Sequence, residues 1–318
     1  MRPERLACWL AVVSVLGLAA EAQAQTAEMA ACAKDPADEA CLAVPGMAAE
    51  MPARPQWLAG VTAGVAPREG NPTGTYQAAS LYRQVGPSYL QLGLTHYRTA
   101  LQQSDATVPS DFTVGTIGFG GNYNNWVIDS YLSYGRQRFD DIRYGDVSRA
   151  AGQSGSPYWG GGVSFGRLFE ASPRIVLTPT ASVSYAWSRF LLPAPLGSGG
   201  PDLTSSEPTW TGALRLRLDW RPGHDRQTWL GLSLGGLWSN NATSTFGGIM
   251  GGASGGGGGE VREGDITSEH LHAVWSEVGL HGSLGLSPKW RIEASASRTI
   301  ALTAGNSTSI SLGLRRSF

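Results

Sequence analysis

The chain has 318 residues, a formal net charge of −1 and only 15% charged residues, a balance that offers a polyanion no hold and sets nucleic acid aside as a partner. It carries 43 Gly and 11 Trp, yet past the first 24 residues nothing approaches a transmembrane helix. Such a composition suits alternating strands that face two different media. A secreted β-sandwich competes with that reading, and no repeat of solenoid length stands out.

The amino-terminus sets the compartment. Arg2 and Arg5 precede the apolar run Leu6–Ala20 and then Ala22-Gln23-Ala24, the pattern of an export signal over residues 1–24 with the mature chain beginning at Gln25. The run is too short for a bilayer-spanning helix of roughly 20 apolar residues. Cys32 and Cys41 follow, an even pair that an oxidising compartment joins most simply as one small-loop disulfide; no His lies near enough for a metal site. The segment 25–56 around them lacks a strand pattern and reads as a periplasmic tail or a short docking helix.

From Trp57 onward the chain alternates. Strands are predicted at Trp57–Ala66, Thr73–Arg83, Tyr89–Tyr97, Phe112–Gly121, Trp126–Phe139, Pro157–Leu168, Arg174–Phe190, Glu207–Trp220, Gln227–Trp238, Asp265–Leu286, Trp290–Leu302 and the closing stretch to Phe318. Their connections sort by length. Short turns such as Asn122–Asn125 and Ser287–Lys289 alternate with longer polar segments at Arg98–Asp111, Asp140–Gly155, Leu191–Ser206 and Asn240–Gly264. Only the connections Pro67–Pro72 and Thr303–Asn306 are short on the long-loop side. About twelve tilted spans with turns sorted in this way predict an all-β fold: a transmembrane antiparallel up-and-down β-barrel over residues 57–318, with both termini periplasmic.

Two further patterns agree. Trp57, Trp126, Trp220, Trp229 and Trp290 fall at one set of strand ends, and Trp159, Trp187, Trp210 and Trp238 toward the other, as two headgroup-level belts require; Trp275 falls in mid-strand. Within strands, Leu214, Leu216, Leu218 and Trp220 oppose Arg215, Arg217 and Asp219, and Ile292, Ala294 and Ala296 oppose Arg291 and Glu293. Charges belong on the lumen side, so Asp129, Arg215, Arg217, Asp219, Glu277, His281, Arg291 and Glu293 are candidate lumen liners, with a neutralising internal network as their default role.

The closing stretch steps back from its end in twos, with Ile310, Leu312, Leu314 and Phe318 on one face. With Ser311 and Gly313 it resembles the terminal recognition strand of bacterial outer-membrane barrels, although Arg316 stands where an aromatic or aliphatic residue is usual. Asp129–Asp140 is similar to a strand of autotransporter translocator barrels, Leu177–Tyr185 resembles the following Leu-Thr-Pro segment of that family, and Leu312-Gly-Leu-Arg315 with Phe318 resembles its closing strand. The resemblance implies an outer-membrane barrel inserted by the barrel assembly machinery, which reads Ser311, Gly313 and Phe318, and through which an amino-terminal passenger is exported. Between Ala24 and Trp57 there is no room for a folded passenger. The expectation is therefore a solitary barrel acting in translocation or as a polar-lumen pore, with residues 25–56 a free tail or a plug.

Two other function classes stay in view. Long outer loops suit a surface-interaction barrel that contacts lipopolysaccharide or an exported or surface protein. An outer-membrane hydrolase would need a base near one rim, for which the strongest candidate is His270 with His272 on one strand face and Glu263 or Asp265 as a third ligand. Ordinary polar rim residues are the simpler reading, so no catalytic residue, metal or cofactor is assigned.

Overall fold

The computed structural model describes residues 57–103, 106–222, 228–247, 267–302 and 305–318. The leader, Cys32, Cys41, Glu263 and Asp265 lie outside these residues. Among them the chain is all β, in strands β1 (Trp57–Arg68), β2 (Asn71–Val85), β3 (Ser88–Gln103), β4 (Ala106–Tyr123), β5 (Trp126–Phe139), β6 (Ile142–Tyr144), β7 (Val147–Arg149), β8 (Gly155–Arg167), β9 (Phe169–Ser172), β10 (Ile175–Leu192), β11 (Leu203–Trp220), β12 (Trp229–Gly247), β13 (Thr267–Ser287), β14 (Trp290–Ile300) and β15 (Thr308–Ser317). Twelve of these pair in an antiparallel meander that closes on itself, while β6, β7 and β9 are short additions. The seam runs from Leu58↔Ser317 to Val65↔Ile310, so the closing strand hydrogen-bonds to the first.

Alternation is the reason these segments are strands. Along β11 every odd residue from Glu207 to Asp219 points inward and every even one from Trp210 to Trp220 outward. Leu214 on the outward face is 70% exposed, and Leu92, Ile117, Leu132, Leu232 and Leu312 continue the same apolar surface around the wall. Moving each such side chain out of water is worth about 1.5–3 kcal/mol, so this band is stable only against hydrocarbon. The turns at the rim carrying both chain ends are tight. Asn124 (φ 54°) and Asn125 (φ 69°) form a two-residue connection with both φ positive, the backbone a type I′ hairpin needs.

The aromatic belts are also built. At the terminal rim Arg83 lies over Trp57 (5.0 Å), Arg167 over Trp126 (5.1 Å), and Arg316 over both Trp290 (5.2 Å) and Phe318 (4.9 Å). Arg316 thus takes its unusual place on the outward face by lying along two rings. Toward the far rim Trp159, Tyr185 and Trp210 touch in succession at 5.0 and 4.9 Å. Trp229 departs from the expectation: it turns inward, buried beneath Arg217 (4.7 Å), because β12 begins one register step inside its neighbours' outward face.

The predicted loop Arg98–Asp111 is corrected. β3 and β4 continue through it to Gln103↔Ala106, held by the cross-strand pair Arg98 Nε–Asp111 Oδ1 at 2.8 Å. Its inward positions Ala106, Val108 and Ser110 are buried, a short apolar alternation masked in the sequence by the polar residues between them. The neighbouring segments shrink likewise: β10 and β11 pair as far as Leu192↔Leu203, and β12 and β13 as far as Gly247↔Thr267. Within 140–154 the hairpin β6–β7 extends the wall, pairs with β4 at Thr107↔Arg143, and sends Ile142 into full burial against Val108, Phe139 and Leu191.

That hairpin is tied to residues 193–202. Arg149 forms a two-pronged ion pair with Asp202, one prong at 2.9 Å (Nη1 to Oδ2), while the Gly152 and Ala194 N–H groups donate to the same carboxylate at 2.6 and 2.8 Å. Burial pulls the Asp202 carboxyl upward, but Arg149 and the two backbone donors outweigh it and bring it down to about 2. On the other side of the rim Glu69 accepts from Asn306 N (2.9 Å) and Arg298 Nη2 (3.1 Å), latching the first connection to the last above the seam. The Asn306 donors and then Arg298 hold the Glu69 carboxyl below its ordinary value.

Two outcomes follow. Leu234→Arg, on the outward face of β12, is expected to lower unfolding stability in phospholipid vesicles by about 2–4 kcal/mol; an unchanged urea midpoint would place this face in water. Asp202→Asn is expected to open the tie, seen as faster tryptic cleavage after Arg149. Because the folded carboxyl titrates below its unfolded value, the tie's contribution is complete above about pH 4 and lost as pH falls through about 2. Hydrogen exchange at the Gly152 and Ala194 amides reads that loss.

Candidate functional site

The lumen is the concave, chemically dense part of the molecule, and it has two layers. The layer toward the terminal rim is ionic. From β14 and β15, Arg291 Nε lies 3.0 Å from Glu293 Oε1 and Arg315 Nε 2.5 Å from Glu293 Oε2. On the facing wall Tyr89 OH donates to Asp129 Oδ1 at 2.6 Å, Ser164 Oγ donates to Oδ2 at 3.4 Å, and Tyr82 stacks on Tyr89 at 4.8 Å.

A second ionic group comes from β11–β13. Arg217 Nε donates to Asp219 Oδ1 (2.7 Å), Arg215 Nε faces Glu277 Oε1 (3.6 Å), and His281 Nε2 meets Ser233 Oγ (3.0 Å). Small neighbours make room for these pairs. A Cβ on Gly120 would strike the Asp129 carboxylate and the Tyr89 ring, and one on Gly231 would come 2.5 Å from Asp219 Oδ1. Arg215, Arg217, Arg291 and Arg315 stand against Asp129, Asp219, Glu277 and Glu293, so the layer balances its own charge.

The structure therefore brings all eight candidate liners onto the inner face, in two groups. The residues missing from that prediction are Arg315, Tyr82 and Tyr89. Arg315 was readable, being on the polar face of the closing strand; the two tyrosines look like belt residues in sequence because each sits beside the β2–β3 turn.

Beyond these ions the inner face mixes apolar clusters with buried polar groups, among them Glu207, whose Oε2 accepts from Asn241 Nδ2 at 2.8 Å. Ala66, Tyr76, Tyr97, Phe112, Val114, Tyr158 and Ala186 form one buried cluster, with Phe112 edge-on to Tyr158 at 6.4 Å although β5 stands between their strands. A second cluster gathers Ala213, Leu237, Ala273, Trp275 and Leu302, and Leu101 of β3 packs against it from a wall that is not adjacent. Trp275, out of place in either belt, is the largest side chain of this inner cluster.

The closing-strand residues divide between the faces. Ser311 bonds Ser295 (2.7 Å) and Gly313 faces the lumen opposite Thr62, while Phe318 points outward and its N–H donates to Trp57 O at 3.0 Å. Of the hydrolase candidates, His272 is exposed on the outward face of β13, and the side chain of His270 lies outside the described residues. Among the described residues no three metal-binding side chains converge.

Comparison with known proteins places this geometry. A family model described as the autotransporter beta-domain matches residues 90–297. The chain is similar to the translocator domain of the autotransporter NalP from Neisseria meningitidis, at 15% identity and TM-score 0.55, over 82% of this chain and 88% of that one. It is similar to the beta domain of the Bordetella autotransporter BrkA at 15% identity and TM-score 0.51 (82% and 98%) and to an outer-membrane channel from Pseudomonas putida F1 at 11% and 0.50 (89% and 99%). At these identities the structures share the fold alone. No curated protein matches the sequence. With the family model covering well over half of its length, on a closed twelve-strand barrel, the chain belongs to the autotransporter beta-domain family of the outer membrane.

Proposed function

We propose that this barrel is a translocation or pore-forming unit that rests closed, with both termini on the periplasmic side. The observation that carries the reading is the two-layered lumen: a self-neutralising ionic vestibule at the terminal rim, backed by an aromatic seal. A vestibule of paired charges accepts a polar chain or solute without a net field to repel it. A seal of large side chains stops free flow of water and ions until it is displaced. Under this reading residues 25–56, which precede Trp57 in the chain, are a plug that lodges at the vestibule rim. Translocator barrels of this family are typically non-enzymatic, and we assign this chain no catalysis.

The closing strand has the second role. Its outward Leu312, Leu314 and Phe318, with Ser311 and Gly313 inward, support a signal read by the barrel assembly machinery before the seam forms.

Planar-bilayer recording tests the seal. The Phe112→Ala, Tyr158→Ala double variant is expected to raise single-channel conductance by at least about twofold, and deletion of Gln25–Gln56 to raise it further. Equal conductance in the double variant and the parent would sink the seal, and no gain on deletion would leave the amino-terminal segment a free tail. Removing Phe318 is expected to lower the amount of heat-modifiable barrel recovered from outer membranes by roughly tenfold; undiminished recovery would show that the assembly signal lies elsewhere.

A further inference from the structure

The outward wall near the far rim gathers charge just beyond its aromatic belt. Across β3, β4, β5 and β8 the outward side chains fall into rows set by the pairing register. The row Gly115↔Tyr134↔Trp159 belongs to the aromatic belt. One row beyond it come His96↔Thr113↔Arg136↔Pro157, and one row further Arg98↔Asp111↔Arg138. Two residues advance a strand by about 7 Å, which a tilt near 45° turns into about 5 Å of height per row. Arg136 and Arg138 therefore stand about 5 and 10 Å above the belt, level with headgroup phosphates and clear of the hydrocarbon.

These residues do not form a flat patch. All but Arg98 line a groove of about 630 Å³, together with Tyr134 and Gly155. Asp111, the carboxylate within the groove, is engaged: Arg98 holds both its oxygens, at 2.8 and 3.2 Å. Asp140, the residue just past β5, acts on Arg98 from beyond the groove. Arg136 and Arg138 form no ion pair among the described residues. Two such cations, two residues apart on one strand face, present paired N–H donors at the spacing a phosphate monoester accepts. Thr113 and His96, whose Oγ1 and Nδ1 lie 3.2 Å apart, line the same groove, and Tyr134, 71% exposed in the row below, offers a flat ring to a sugar or to the start of an acyl chain.

We propose that this groove binds a phosphorylated sugar headgroup of an outer-leaflet lipid, with Arg136 and Arg138 holding the phosphate and Tyr134 supporting the saccharide. The volume suits a sugar phosphate better than a bare anion. The proposal rests on the far rim facing outward, as inferred above, but its test does not. Binding is measured on the full mature chain in dodecylmaltoside micelles, where orientation has no meaning. The probes are a bisphosphorylated glucosamine-disaccharide lipid, the same lipid without phosphates, and inorganic phosphate.

The parent is expected to bind the phosphorylated lipid at least about tenfold more tightly than the dephosphorylated one. Arg136→Gln with Arg138→Gln should lose about that factor, while Arg83→Gln with Arg316→Gln, an equal change of charge at the opposite rim, should stay within about twofold. All variants are checked for the unboiled gel mobility of a closed barrel. Equal affinity for the two lipids, or an unchanged Arg136/Arg138 variant, overturns the site. Inorganic phosphate competing at a similar affinity overturns its lipid assignment. Orientation is read separately, from protease access to residues 140–154 in whole cells, so failure there leaves the binding result standing.

Discussion

A lipid core accepts no unpaired amide, and this single demand accounts for the architecture. Any sheet with an edge would leave a row of N–H and C=O groups facing hydrocarbon, so the meander must return to its first strand. The chain does so with the register Leu58↔Ser317 to Val65↔Ile310, and the latch of Glu69 to Arg298 and Asn306 secures the seam at its far end. The terminal residues are thus structural members of the wall: the Phe318 N–H bonds Trp57 O across the same junction. Side-chain alternation then follows from closure, because the pleat allows each residue only lipid or lumen.

The interior solves a second problem. Twelve strands enclose a lumen wider than that of the eight-stranded barrels that side chains fill readily, yet narrower than a sixteen-stranded porin's aqueous channel. Here the filling is done by length and by charge. Arg217 reaches Asp219 over Gly231, Tyr89 reaches Asp129 over Gly120, and the large rings of Phe112, Tyr158 and Trp275 meet partners from strands that are not neighbours. Each of these ions has an opposite charge or, for Asp129, hydroxyl donors nearby, as a partly desolvated site requires, and four arginines stand against four carboxylates.

Much of this was legible in the sequence, and the limits have physical causes. Faces were readable wherever polar and apolar residues alternated cleanly, as from Leu214 to Trp220, because a two-residue period maps directly onto inside and outside. The Arg98–Asp111 segment hid its strand since Ala106, Val108 and Ser110 are small or set among polar residues, and its register depends on a partner strand rather than on its own pattern. The ionic liners could be placed on the inner face but not paired, because Arg215 meets Glu277 and Tyr89 meets Asp129 only once the barrel has curved. The aromatic layer was invisible for the same reason. An inward Tyr97 or Phe112 reads like a belt residue until its neighbour from another wall is known. Trp229 shows the converse, a tryptophan at a strand end that turns away from the lipid.

The side chains that cross the lumen also determine how the tube bears load. A hollow cylinder of hydrogen-bonded ribbons flattens easily, since changing the angle between adjacent strands stretches few bonds. Phe112 against Tyr158, across the intervening β5, and Leu101 against the Trp275 cluster, on a wall well removed from β3, act as braces between strands that are not neighbours. Squeezing the section into an ellipse would force close-packed rings to overlap or part, and interiors at this density compress little. The barrel is thereby stiffened against the lateral pressure of the bilayer. Any opening that swings the rings aside must give up part of that stiffness.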